Sequence, residues 1–141
     1  MVLSAIRHHY FGGYDMNAKE IKVLMVEPEK HPRVTTLRGD LGSLQKAVSV
    51  GAEYQGLIEI ISLGNGDCLL CNEEGKLIGL EGNRRLGDDI IVGVFYIMSE
   101  NEDGELVSLP EKKIKFYEKL FWEPETFDRT DIEDTLFFRF I

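Results

Sequence analysis

The chain has 141 residues, the length of one ordinary domain, and its 43% of hydrophobic and 10% of aromatic residues lie in the globular range. No apolar run approaches the roughly 20 residues that cross a bilayer, so we expect a soluble protein without membrane contacts. The net charge of −9 argues against nonspecific binding to nucleic acid or anionic membranes, because these surfaces are negative themselves, and it favours a basic partner.

Residues 1–19 form a predicted N-terminal extension with a short apolar start and a histidine-rich patch. This order is not that of a signal peptide, so we do not expect secretion. A β-rich alternation then runs from Ile21 to Glu27 and ends at Pro28, and a second short strand spans Arg33 to Leu37. The two segments predict a β-hairpin.

The first helix is predicted after Asp40, a residue suited to capping a helix N-terminus. The apolar residues of this helix recur at helical spacing, and Gly51 is the predicted stop. They are Leu41, Leu44, Ala47 and Val48.

Four further strands are predicted between this helix and residue 98, separated by turn residues and by a loop around Asn83. They cover residues 54–61, 68–72, 77–80 and 90–98. Because these strands follow one another along the chain with turns between them, we expect a sheet that is mostly a meander.

A second helix is predicted from Pro110, and its apolar stripe should cover the sheet. The stripe consists of Ile114, Tyr117, Leu120 and Phe121. The expected fold is therefore α+β, a single domain over residues 20–122 with a twisted, mostly antiparallel sheet and two helices packed on one face.

Residues 123–141 form a predicted acidic and aromatic C-terminal extension that ends in TLFFRFI. Leu136, Phe138 and Phe140 would share one face of a strand. Such a strand is expected to pair with a sheet edge, for example the VLSAI segment near the N-terminus, or with another protein. The second alternative includes a homodimer formed through the terminal segments.

Cys68 and Cys71 have the spacing of half a zinc site, but residues three apart on a strand point to opposite faces. We therefore expect buried structural thiols and no metal, and we interpret His8, His9 and His31 as surface residues. The chain also lacks a G-x-S-x-G elbow, a P-loop and a dinucleotide-binding glycine motif. The prediction is a protein without catalytic activity and without a cofactor.

Asn83, Arg84 and Arg85 concentrate positive charge and amide donors in a predicted loop bounded by Gly82 and Gly87. Arginine side chains suit phosphate or carboxylate, so an anion-binding loop is one interpretation. The alternative is a structural loop in which the neighbouring acids Glu81, Asp88 and Asp89 neutralise the arginines.

Carboxylates concentrate in two segments after the last long strand, and these form the predicted partner-binding acidic face. Solvated loops that keep the protein soluble are the alternative interpretation. The residues of the predicted face are Glu100, Glu102, Asp103, Glu105, Glu123, Glu125, Asp128 and Asp131.

The opening IKVLMVEPEKHPRV and the run NEEGKLIGLEGNRRLGDDIIVGVFYI resemble a family described as domain of unknown function 3846, over about residues 21–122. The resemblance implies a setting in phages, plasmids and integrative elements of bacteria. It supplies no site residues.

Two functional hypotheses follow. In the first, a mobile-element accessory protein in the bacterial cytoplasm inhibits a host defence nuclease, such as a restriction enzyme or a type II CRISPR effector, because its acidic face occupies the basic nucleic-acid groove. In the second, the protein sequesters a small ligand or nucleotide signal, with Asn83, Arg84 and Arg85 holding the anion and Tyr96 stacking on a base.

Overall fold

The computed structural model describes residues 2–4 and 14–139, which form strands β1–β9 and helices α1–α3. The strands are β1 Val2–Ser4, β2 Glu20–Val26, β3 Arg33–Arg38, β4 Ile58–Gly64, β5 Asp67–Asn72, β6 Gly82–Leu86, β7 Asp89–Val92, β8 Phe95–Glu100 and β9 Leu106–Val107. The helices are α1 Leu41–Ala47, α2 Glu111–Leu120 and α3 Arg129–Arg139.

The main sheet has the strand order β1-β4-β5-β8-β2-β3, with β9 paired to β8, and β6 and β7 form a separate two-stranded sheet. All of these pairings are antiparallel. The predicted α+β class, the mostly antiparallel sheet and the opening β2–β3 hairpin are confirmed. The helix after Asp40 is confirmed as well, and the Asp40 carboxylate accepts the Ser43 N–H at 3.2 Å as the predicted cap.

The prediction that both helices pack on one face of the sheet is wrong. Leu44 and Val48 at α1 pack with Val23 and with the strand residues that share its face of the sheet, every second residue along each strand. Ile114 and Tyr117 of α2 pack with the strand residues in between, such as Leu24, whereas Leu120, expected in the same stripe, is exposed. Since successive strand residues point to opposite faces, the helices cover opposite faces. The central strands are buried on both sides, so their alternation carries no information about the helices.

The predicted strand over residues 90–98 is two strands in different sheets. Gly93 separates β7 from β8 and has φ of +71°, a left-handed conformation that favours glycine. A Cβ at this position would lie 2.8 Å from Cδ1 of Leu80. Both strands are buried, so apolar residues continue on either side of Gly93. The hydrophobic pattern therefore does not show that the strand breaks there.

Residues 77–80 lie in a turn and not in a strand, and the residues Asn83, Arg84 and Arg85 lie within β6 and not in a loop. Leu80 belongs to a third apolar cluster with Ile90, Val92 and Ile132. The three apolar side chains at 77–80 are therefore divided: Leu77 and Ile78 are exposed, and Leu80 is in the core.

The C-terminal strand prediction is also wrong, since residues 129–139 are helical, with Leu136 and Phe138 in α3. Phe140 lies outside the described residues. The start of the predicted VLSAI partner is β1, which pairs with β4 and not with the C-terminal segment. The segment after α2 packs back on the domain through Phe127 and Ile132.

Candidate functional site

The first acidic segment forms the tip of the hairpin between β8 and β9, which pair at Glu100 and Leu106. The Asn101 side-chain oxygen accepts the N–H groups of Asp103 and Glu105, both at 3.0 Å. The Asn101 N–H donates to the Glu105 carbonyl at 2.9 Å. Glu102, Asp103 and Glu105 are exposed. The tip is therefore a fixed turn that presents carboxylates to solvent.

The second acidic segment lies between α2 and α3, and two of its residues stabilise α3. The Asp128 carboxylate accepts the Asp131 N–H at 2.9 Å, and the Asp131 carboxylate accepts the Asp128 N–H at 3.1 Å. This reciprocal pair is a capping box at the start of the helix. Glu125 is half-buried and accepts the Arg85 N–H at 3.3 Å, whereas Glu123 is exposed.

The two acidic segments lie at opposite ends of α2. Near its start, the Lys113 ammonium donates to the Asn65 carbonyl at 2.8 Å, and the neighbouring Gly66 carbonyl accepts the Glu100 N–H at 2.8 Å. Beyond its other end the second segment begins at Glu123. Ten helical residues span about 15 Å. The predicted acidic face is therefore two separate acidic surfaces.

Arg84 is fully buried, and its guanidinium donates to oxygens of two other chain segments and of its neighbour Asn83. Nε donates to the Phe121 carbonyl at 3.0 Å, and Nη2 donates to the Lys30 carbonyl at 2.6 Å. Nη1 donates to the Asn83 side-chain oxygen at 2.7 Å. Burial lowers the pKa of Arg84, and the negative charge of Glu125 opposes this shift.

Asn83 is also fully buried, and its amide nitrogen donates to the Val26 and Gly93 carbonyls at 2.9 and 2.8 Å. Arg85 is exposed, and its guanidinium carbon lies 5.5 Å from the centre of the Phe127 ring. The structure thus brings Asn83 and Arg84 together in the interior and leaves Arg85 at the surface. An anion bound by Arg84 would have to displace backbone carbonyl oxygens.

Cys68 and Cys71 pack in different apolar clusters on opposite faces of the sheet, which confirms their predicted directions. Within residues 14–139 and the short strand β1, no group of three or more His, Cys, Asp or Glu side chains is placed to hold a metal ion.

A buried polar cluster around Asp67 was missed by the sequence analysis. The Asp67 carboxylate accepts from the Lys113 ammonium at 2.6 Å, from the Tyr117 hydroxyl at 2.7 Å and from the Ser99 hydroxyl at 3.3 Å. Burial raises the pKa of Tyr117, and the hydrogen bond to Asp67 adds to this effect. The cluster ties α2 to β5 and β8 beside the acidic tip. The sequence feature that indicates this cluster is Asp67 itself, an aspartate at the start of the mostly apolar strand β5.

A small cavity lies between β5 and β7, where Lys76 and Asp89 form an ion pair beside Glu59 and Cys71. Its volume of about 30 Å³ holds about two water molecules. Ligand sites are typically about 300 Å³ or more. This cavity is therefore too small for a nucleotide.

A family model described as a domain of unknown function, DUF3846, matches residues 21–122. No curated protein and no solved structure matches the chain. None of the helices in the described part of the chain is long and apolar enough to span a membrane.

Proposed function

The chain belongs to the DUF3846 family, whose model matches residues 21–122, and we propose that it is a non-catalytic protein that binds a basic nucleic-acid groove on another protein. The proposed partner is a host defence nuclease, either a restriction enzyme or a type II CRISPR effector. The protein would then act in the bacterial cytoplasm as an accessory factor of a phage or another mobile element.

The acidic tip between β8 and β9 carries this proposal. Glu102, Asp103 and Glu105 are exposed within four residues of one another. The Asn101 side chain fixes the backbone that bears them, so little conformational entropy is lost on binding. The three carboxylates lie on one turn, so they present a compact group of negative charges to the lysine and arginine side chains of a groove.

Charge supplies the long-range part of the interaction. A protein with a net charge of −9 is attracted to a lysine- and arginine-lined groove and is repelled by the nucleic acid that normally occupies it. Inhibition by this mechanism is competitive with nucleic acid. It also weakens as salt screens the charges.

The small-ligand alternative has less support from the geometry. Asn83 and Arg84 already donate to internal oxygens. Tyr96, the residue expected to stack on a base, is buried, and its hydroxyl donates to the Ala47 carbonyl at 2.9 Å. Of the proposed ligand residues, Arg85 alone is exposed.

The test is a triple charge reversal of the tip, Glu102→Lys, Asp103→Lys and Glu105→Lys, assayed for inhibition of DNA cleavage by a type II CRISPR nuclease and by a panel of restriction enzymes. We expect the wild type to inhibit at least one of these enzymes. The triple variant should need at least about tenfold more protein, because several contacts of about 1 kcal/mol or less each are lost together.

The matched control reverses three exposed acids elsewhere, Glu81, Asp88 and Asp134, which changes the net charge by the same amount. It should inhibit within a few-fold of wild type, and both variants should keep the wild-type melting temperature. An equal loss in the control would show that net charge and not the tip is responsible. A wild type that inhibits none of the nucleases would refute the proposal.

A further inference from the structure

Five large apolar side chains are exposed on two loops at one end of the main sheet. Their exposed fractions are 63% for Val50, 78% for Tyr54, 48% for Leu57, 65% for Leu77 and 50% for Ile78. We call these five residues the loop patch. Single exposed apolar residues are ordinary on protein surfaces, but a group of them marks an interaction surface.

The two loops of the loop patch adjoin each other. The Glu73 N–H donates to the Leu57 carbonyl at 2.9 Å. The Asn72 amide donates to the Val48 carbonyl at 3.3 Å. Ala52 in the first loop packs against the apolar cluster that contains Leu80, at the end of the second loop. The two loops that carry the exposed side chains therefore lie side by side at this end of the sheet.

Internal hydrogen bonds hold both loops in place. In the first loop, the Gly56 N–H donates to the Ser49 hydroxyl at 2.9 Å. In the second, the Leu80 N–H donates to the Gly75 carbonyl at 2.9 Å. The apolar side chains are thus presented by ordered backbone, and a partner would pay little to order the loops.

The charges on these loops are acidic. Glu53, Glu73, Glu74 and Glu81 are exposed, and we call these four glutamates the acidic rim. Lys76 is the single base between residues 49 and 81, and it is buried and paired with Asp89. Arg129 approaches Gly79 from α3, but it is paired with Glu133.

We propose that the loop patch binds a basic amphipathic segment of a partner protein, in which apolar side chains cover the patch and lysines or arginines meet its acidic rim. A symmetric dimer through the same surface would place acid against acid, which disfavours a second copy. Anionic lipid would be repelled by the same rim. This surface is separate from the acidic tip, and its occupant need not be a nuclease.

The test is selection of binders to the full-length protein from a random peptide display library. Two double variants are used beside the wild type. The patch variant carries Tyr54→Ser and Leu77→Ser. The control variant carries Phe116→Ser and Leu120→Ser, a pair on the outer face of α2 with similar exposed fractions of 62% and 57%.

We expect the enriched peptides to combine leucine, isoleucine or aromatic residues with lysine or arginine. Their affinity should fall at least about tenfold in the patch variant and less than about threefold in the control, because tyrosine is enriched among the contacts that dominate binding and the loss of Leu77 removes further apolar contact area. Reversal of Glu102, Asp103 and Glu105 to lysine should leave these peptides bound, which distinguishes this proposal from the proposed function.

Three outcomes would overturn the proposal: selection without enrichment, enrichment of acidic peptides, or an equal loss of affinity in both double variants. Sedimentation of the wild type tests whether a second copy of the chain covers the loop patch instead. If the protein dimerises and the patch variant is monomeric, a second copy and not a basic segment covers the loop patch.

Discussion

Arg84 is a buried cation whose hydrogen-bond partners are mostly backbone carbonyl oxygens and not carboxylates. One of these, the Phe121 carbonyl, lies at the C-terminal end of α2, where the helix dipole is negative. Another, the Lys30 carbonyl, belongs to the turn between β2 and β3. A buried charge is stable only when its donors are satisfied, and here they link three segments that are distant in sequence.

We predict that Arg84→Met lowers the free energy of unfolding by about 2–4 kcal/mol, because the Phe121 and Lys30 carbonyls lose their donors in the interior. Arg85→Met is the matched control, and its exposed side chain should contribute less than about 1 kcal/mol. Urea denaturation of the two variants measures the difference. Equal stabilities would show that Arg84 does not hold these segments together.

At the scale of elements, short local signals decide where helices and strands start and stop. Asp128 and Asp131 start α3 through their reciprocal hydrogen bonds. Gly93 ends β7 through its left-handed backbone. An acidic residue in this chain is therefore not automatically part of a partner surface, and Asp128 has a structural role of its own.

We predict that Asp128→Ala destabilises α3 by about 1 kcal/mol, because a helix N-terminal N–H loses its acceptor. Amide hydrogen exchange should become faster through residues 129–136 and stay unchanged in the main sheet. Asp134→Ala, inside the same helix and exposed, is the control and should leave exchange near the wild-type rate. If Asp128→Ala leaves exchange in α3 unaltered, the capping box contributes nothing to the helix.

At the scale of the whole molecule, two layers of apolar side chains sandwich the main sheet, and a third cluster joins the β6–β7 sheet to α3. The acidic tip and the acidic segment before α3 lie at opposite ends of α2, and the loop patch with its acidic rim lies on two other loops. The molecule therefore offers acidic surfaces in several places, which suits basic partners and opposes nucleic acid.

We predict that the protein does not bind duplex DNA at moderate salt, since its net charge of −9 repels the phosphate backbone. A mobility-shift assay with micromolar protein measures this. A shifted band that disappears steeply with added salt would contradict the prediction, because that behaviour is the signature of released counterions.

The amino-acid sequence by itself determined the fold class, the opening hairpin and two of the helices. Asp40 and Pro110 mark helix starts through local chemistry, and β-rich runs predict strands such as β2, β3 and β5. The opposed directions of Cys68 and Cys71 followed from strand geometry alone. Signals of this kind act between near neighbours in the chain, so one sequence is enough to find them.

Only the tertiary structure decided where the helices pack and what the arginines do. The central residues of β2, β5 and β8 are apolar on both faces, so their pattern does not show which face each helix covers. Arg84 resembles a surface anion ligand in sequence, yet its partners at residues 30 and 121 are contributed by distant segments. The loop patch likewise exists because two loops meet, and contacts between distant segments arise only when the chain folds.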